Sequence, residues 1–261
     1  MESTIYYQPI KPKIEAEIRD DSNDFMKVHL LVHTPNAKRV AFAAIRSCYS
    51  PGTSINLYEK EFEKYEGRAA KWDPEKIGAS SCSEGASDAD RLIREICHSG
   101  HTSTLEHITF TFSIENLSRA CLAQLTRHRI GWSYSVQSQR YVKQNSDSKH
   151  GEAGFVYPSC EYLDQDDRDS VGLLYGQAVT KMQEFYDLLI SYGVHAEDAR
   201  AVLGMNSACN LTVTCNLRAF LDFWSKRKPG THAQDEIKQL AVKMRDRIIE
   251  AEPWIVGLIE E

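Results

Sequence analysis

The chain has no excess of positive charge, no Cys-x-x-Cys pair, no G-x-G-x-x-G fingerprint and no long apolar run, and each absence removes a class of protein. With 31 Lys and Arg against 37 Asp and Glu, the formal net charge is -6, so a broad polyanion-binding face is excluded. Any phosphate contact then has to come from a local arginine cluster, which suits a nucleotide better than a duplex. The cysteines at 48, 82, 97, 121, 160, 209 and 215 are odd in number and scattered, which argues against a disulfide framework and for reduced thiols in the cytoplasm. Among the histidines no H-x-x-x-H pair stands in a context that supports ligation, so no metal is expected. No stretch approaches the roughly 20 consecutive apolar residues of a membrane span. Residues 1–13 are polar, broken by Pro9 and Pro12, and lack the apolar centre of a secretion signal. Neither nucleic acid nor membrane is expected as a partner.

What remains is a chain of 261 residues with 42% hydrophobic and 26% charged residues, the balance of a compact protein that needs no staple to hold a core. Residues 26–34 are aliphatic and β-branched and predict a strand; 36–48, with Val40, Ala44 and Ile45 on one face, predict a helix ended by Pro51-Gly52. Residues 57–86 are charged, then rich in small residues, and read as a variable linker or insert. Ser87 to Asp90 forms a capping box for a helix that carries Leu92, Ile93 and Ile96 up to Gly100. From His107 to Ile114 the alternation is strict, with Ile108, Phe110, Phe112 and Ile114 on one side. Ser118 caps a helix carrying Cys121, Leu122 and Leu125 and delivering Arg127-His128-Arg129 before Gly131. Residues 143–154 read as solvated surface, the acidic run 164–169 precedes a long helix over 170–192, and a short helix covers 196–203. A strand over 211–215 leads to Asn216, the cap of a helix with Phe220, Phe223 and Trp224 inward, and 233–250 is a final amphipathic helix. The expectation is an α/β protomer of the α+β type, a mixed or antiparallel central sheet flanked by helices, as one domain over 26–261 behind a tail, 1–25.

Unusual polar residues concentrate in three fragments: 101–107, then 124–129, then 133–141 with Ser138, Gln139 and Arg140. Guanidinium forks match phosphate and carbonyl oxygens bidentately, so arginines flanking a histidine at a helix end point to an anionic ligand. An isolated Arg-x-Arg would more often be a surface ion-pairing feature. Here the serines and glutamines that follow make a donor-rich binding surface.

These residues resemble the flavin-dependent thymidylate synthase family. Its signature is an Arg-His-Arg triplet, a spacer and a serine, preceded by His-x-x-x-x-Glu-His and an Arg-Ala helix; here it runs from His101 through Glu106-His107 and Arg119-Ala120 to Arg127-His128-Arg129 and Ser138. The spacer 130–137 is one residue longer than the family's, and we place the extra residue within 130–132. Downstream, Ala199-Arg200, Asn216-Leu217-Arg218 and Phe223 to Arg227 resemble further family blocks, although Gly204 stands where proline is usual. The likeness covers about residues 26–52 and 87–258.

The resemblance implies FAD as cofactor, contacted by Ser103, Arg127, His128, Arg129, Asn216, Leu217 and Arg218, with His101 nearby. It implies dUMP as substrate, met by Gln124, Arg127, Ser138, Gln139, Arg140, Arg200 and Arg227, with Arg227 also catalytic through electrostatic activation of the uracil. It further implies methylenetetrahydrofolate and NADPH as cosubstrates, no enzyme nucleophile, and a homotetramer with shared active sites. The rival readings are a uridine methyltransferase acting on RNA, disfavoured by the acidic balance, and a non-catalytic nucleotide-binding protein.

Overall fold

The computed structural model describes residues 25–71, 86–146 and 154–259. The tail before residue 25, the small-residue stretch 78–83 and residues 147–153 of the polar segment lie outside the described residues. Four strands, β1 (Lys27–His33), β2 (Thr109–Ser118), β3 (Trp132–Val136) and β4 (Ala208–Asn216), form one antiparallel sheet in the order β1-β2-β4-β3.

β2 takes a central place because its alternation builds one wholly apolar face. Phe110, Phe112 and Ile114 are fully buried, and their partners across the ladder are Cys215, Val213 and Leu211 of β4, also buried. On the other face Thr111 and Thr214 join their hydroxyls at 2.9 Å. The strand outruns the sequence alternation, because Asn116 at φ 61 makes an irregularity between Ile114 and Leu117 that resets the register and buries Leu117. His107, expected as the first strand residue, ends a 3-10 helix instead (Thr102–His107). That tight turn lets Leu105 reach the core, where it is fully buried.

The helices of seven residues or more among the described residues are α1 (Ala37–Ser47), α2 (Asp88–His98), α3 (Arg119–Leu125), α4 (Gln165–Ser191), α5 (Leu217–Arg227) and α6 (Asp235–Ala251). Ala41 and Ile45 of α1, Ile93 of α2, Phe220 and Phe223 of α5, and Leu240 and Met244 of α6 join the apolar sheet face in one cluster. The capping box at α2 is present in full, with Ser87 and Asp90 bonding each other's backbone N–H. Residues 57–66 of the expected linker are helical, and Phe62 packs edge-on against Phe42 at 5.5 Å. α4 starts earlier than expected because Asp164 caps it, its carboxylate accepting from the Asp167 N–H at 2.9 Å. Only Val179 and Tyr186 of α4 are buried, while Leu173, Leu174, Phe185 and Leu188 are exposed. Among the described residues no helix is long and apolar enough to cross a membrane.

Candidate active site

The Arg-His-Arg turn is built from both sides. Ser118 caps α3 by accepting from the Cys121 N–H at 2.9 Å, and the helix unwinds after Leu125 with the His128 N–H bonded to the Leu125 carbonyl at 3.0 Å. The Tyr134 hydroxyl on β3 lies 2.9 Å from the Leu125 carbonyl and 2.7 Å from that of His128, so the edge strand clamps the turn. Burial of this phenol pushes its pKa up, which keeps it a donor. The turn therefore alternates: Arg127 and Arg129 are exposed, and His128 points inward with its side chain 8% exposed. Its ring stands edge-on to Phe223 at 5.0 Å and tilts against Trp132 at 6.2 Å. Residues 130 and 131, where the extra spacer residue was expected, lie on the outside of the turn. Ile130 is 92% exposed and Gly131, at φ 75, returns the chain to the sheet through its carbonyl, which accepts from the Asn216 N–H at 3.0 Å.

Arg227, the last residue of α5, donates from Nε to His128 Nε2 at 3.3 Å. On the other side of the ring, His128 Nδ1 lies 4.0 Å from the Asp222 carboxylate. Burial and then the Arg227 charge hold the His128 pKa below the usual histidine value, with Asp222 pulling the other way. The imidazole is thus neutral near pH 7, an acceptor at Nε2. Lys228, the next residue, lines a separate cleft with Trp224, Arg245 and Ile249. Gln124 donates to Gln234 at 2.5 Å, which brings the end of α3 to the start of α6.

Arg140 donates from Nε to Glu197 at 2.9 Å, and Arg200 donates to the Glu197 carbonyl at 3.0 Å, so two of the expected nucleotide arginines meet at one residue. Ser138 accepts from the Arg140 N–H at 3.2 Å, and the Gln139 amide nitrogen is buried with no protein partner. Gly204 stands in place of the family's proline; a Cβ there would lie 2.6 Å from Asn206 Oδ1 and 3.0 Å from Met182 Sδ, so those two side chains would have to shift to admit one.

Along the 3-10 turn His101 and Ser103 are exposed, and Arg218 pairs with Glu106 at 2.5 Å. Asn216 spends its side-chain oxygen on capping α5, accepting from the Ala219 N–H at 2.8 Å, and Leu217 is fully buried. These two hold the frame rather than present polar side chains. Among the described residues no hydrogen bond or ion pair joins the Arg227, Arg140 and Arg218 groups to one another. Glu106 stands in the family signature but carried no role there, and Glu197, Asp222 and Tyr134 carried none either, since nothing in the sequence says which arginine or carbonyl each will meet.

The fold is that of a mixed α/β protein whose exposed arginines suit an anionic ligand, without a dinucleotide fingerprint. Residues 29–254 match the family described as thymidylate synthase complementing protein, Thy1. The flavin-dependent thymidylate synthase of Geobacter sulfurreducens is 36% identical over 221 residues, 84% of this chain and 80% of its own. That of Pyrococcus horikoshii is 36% identical over 226 residues, 85% and 79% of the two chains. This chain belongs to the flavin-dependent thymidylate synthase family. A solved UMP/dUMP methylase, PolB of Streptomyces cacaoi bound with 5-Br dUMP, shares the fold with a TM-score of 0.64, at 24% identity over 88% of this chain and 92% of that one.

The donor set suits the family's cofactor. Exposed Arg127, Arg129 and Ser103 and the half-exposed Arg218 offer cations and a hydroxyl of the kind a dinucleotide diphosphate takes up.

Proposed function

We propose that the chain makes dTMP from dUMP, with methylenetetrahydrofolate as carbon donor and NADPH as reductant. FAD, when bound, supplies the hydride. Ser103, Arg127, Arg129 and Arg218, with His101 beside them and Asn216 and Leu217 as the frame beneath, form its cradle; His128, expected among them, turns its side chain inward behind the two arginines. Gln124, Arg127, Ser138, Gln139, Arg140 and Arg200 bind the nucleotide, the arginines taking phosphate and the orphaned Gln139 amide donating to an oxygen of the ligand. Arg227 meets the uracil and stabilises negative charge on the ring as the C5–H bond gives way to the new carbon bond.

The observation that carries this reading is Arg227 itself. It ends α5 with Nε fixed by a neutral histidine, and among the described residues no hydrogen bond occupies its two terminal nitrogens. The cysteines support a route without an enzyme nucleophile. Burial pushes the thiols of Cys121 and Cys215 well up, so neither is a thiolate near neutrality. A homotetramer with shared sites accounts both for the separate arginine groups and for the exposed Leu173, Leu174, Phe185 and Leu188 along α4. The reading includes a cytoplasmic location.

Tritium release from dUMP labelled at C5, with FAD, NADPH and methylenetetrahydrofolate, tests the reaction. Release should require flavin and reductant and fall by about 100-fold or more in Arg227→Ala. No release despite tight binding of dUMP and FAD would leave a non-catalytic nucleotide-binding protein.

A further inference from the structure

We propose that His128 is a positioning residue for Arg227, its imidazole holding the guanidinium by Nε so that both terminal nitrogens face the nucleotide. This rests on the reading that Arg227 meets the uracil. Three of the four polar groups of His128 are hydrogen-bonded within the chain, and the fourth faces a carboxylate. Its N–H bonds the Leu125 carbonyl at 3.0 Å, its carbonyl accepts from Tyr134 at 2.7 Å, Nε2 accepts from Arg227 at 3.3 Å, and Nδ1 faces Asp222 at 4.0 Å. Phe223 and Trp132 pack on the ring and fix its rotamer. With 8% of the side chain exposed, little of the imidazole is left for a flavin.

The arrangement works only while the ring is neutral. A proton on Nε2 removes the acceptor and sets a cation against Arg227, with Arg127 and Lys226 adding like charge and Asp222 opposing them. Asp222 is itself engaged by Lys226 at 2.7 and 2.8 Å, which weakens that opposition. As pH falls through the lowered His128 pKa, the guanidinium loses its anchor, and dUMP affinity falls with it.

The experiment compares the full-length, FAD-loaded protein with His128→Gln, whose amide oxygen replaces the acceptor, and with His128→Leu, which fills the space without one. dUMP affinity is read by titration calorimetry from about pH 5 to 8, with bound flavin measured by absorbance and kcat and KM determined alongside. His128→Leu should weaken dUMP binding by roughly 10–100-fold with flavin content unchanged, the range for a hydrogen bond to a charged group. His128→Gln should restore most of the affinity and leave only the acid-side decline that protonation of the dUMP phosphate at about pH 6 causes, which the same titration with deoxyuridine lacks. Equal loss in both variants, an acid decline in His128→Gln as steep as in the unsubstituted protein, or flavin loss with unchanged dUMP affinity would each overturn the proposal. Absence of turnover in the unsubstituted protein counts against the proposed reaction instead, since the dUMP titration reads the His128 contact without turnover.

Discussion

Replacing Gly131 by alanine should separate two costs that the structure imposes on the same residue. Its φ of 75 is a left-handed conformation, which costs a residue with a side chain about 1–2 kcal/mol. A Cβ there would also lie 2.6 Å from Asn216 Nδ2 and 2.8 Å from Ala219 Cβ, inside any normal contact, and both neighbours belong to the capped start of α5. Forcing them apart strains the Asn216 cap and adds about 1–3 kcal/mol, as overpacking does, so the total for Gly131→Ala is about 2–5 kcal/mol. Gly100 supplies the control: it has φ 84 but nothing within 4 Å of a built Cβ, and Gly100→Ala should show only the backbone part, about 1–2 kcal/mol. Urea unfolding followed by circular dichroism, at one protein concentration for all variants, gives the difference between the two substitutions. If that difference is near zero, the close approach of Gly131 to α5 is not what fixes this turn, and the reasoning fails.

Other consequences concern buried carboxylates and the exposed helix. Ser118 serves both the α3 cap and Glu236, to which it donates from N–H at 2.8 Å and from Oγ at 2.5 Å; Ser118→Ala should cost about 1–3 kcal/mol in the same unfolding assay. Burial raises the Glu236 pKa against those hydrogen bonds, so the folded state holds the proton longer and stability falls as pH rises from the unfolded value, about 4.3, through the raised one. Glu236→Gln should remove that slope in a pH series of unfolding curves. Asp90 has the opposite sign: burial raises its pKa, but the Lys38 ion pair at 2.9 Å and the Ser87 N–H outweigh it, so its contribution is complete above about pH 4 and is lost as pH falls through the lowered value. Asp90→Asn should flatten the acid side of the stability profile. Glutamates at Leu173 and Leu174 should shift the protein to smaller species in size-exclusion chromatography if α4 is an assembly surface; an unchanged elution volume would set that role aside.

Much of the frame was legible because it rests on local chemistry. The alternation from Ile108 to Ile114, the capping serines at 87 and 118 and the cap at Asn216 each announce an element through a short-range physical rule, and each stands in the structure. Where the rules conflict, sequence reading went astray. Residues 132–136 alternate Trp, Ser, Tyr, Ser, Val and form β3, yet their serines also read as ligand donors, and that reading hid the strand. Leu57 and Phe62 are both buried at a spacing that suits neither helix nor strand; the π-helical turn Leu57–Glu61, closed by the Phe62 N–H on the Leu57 carbonyl, absorbs the misfit.

The site divides along the same line. Arginines declare themselves by type, because few other side chains bind phosphate bidentately and a cluster of them is rare in an acidic chain. Their partners do not. Glu197 beside Arg140, Glu106 beside Arg218 and His128 beside Arg227 are joined across 57, 112 and 99 positions of sequence, and only the fold brings them together. Arg140 and Arg218 rest on carboxylates that any bound anion would have to displace, whereas Arg227 rests on a neutral ring that leaves its charge uncompensated. If Arg227 meets the uracil as proposed, that difference separates arginines that hold an anion from one set to draw charge into a ring at the end of α5.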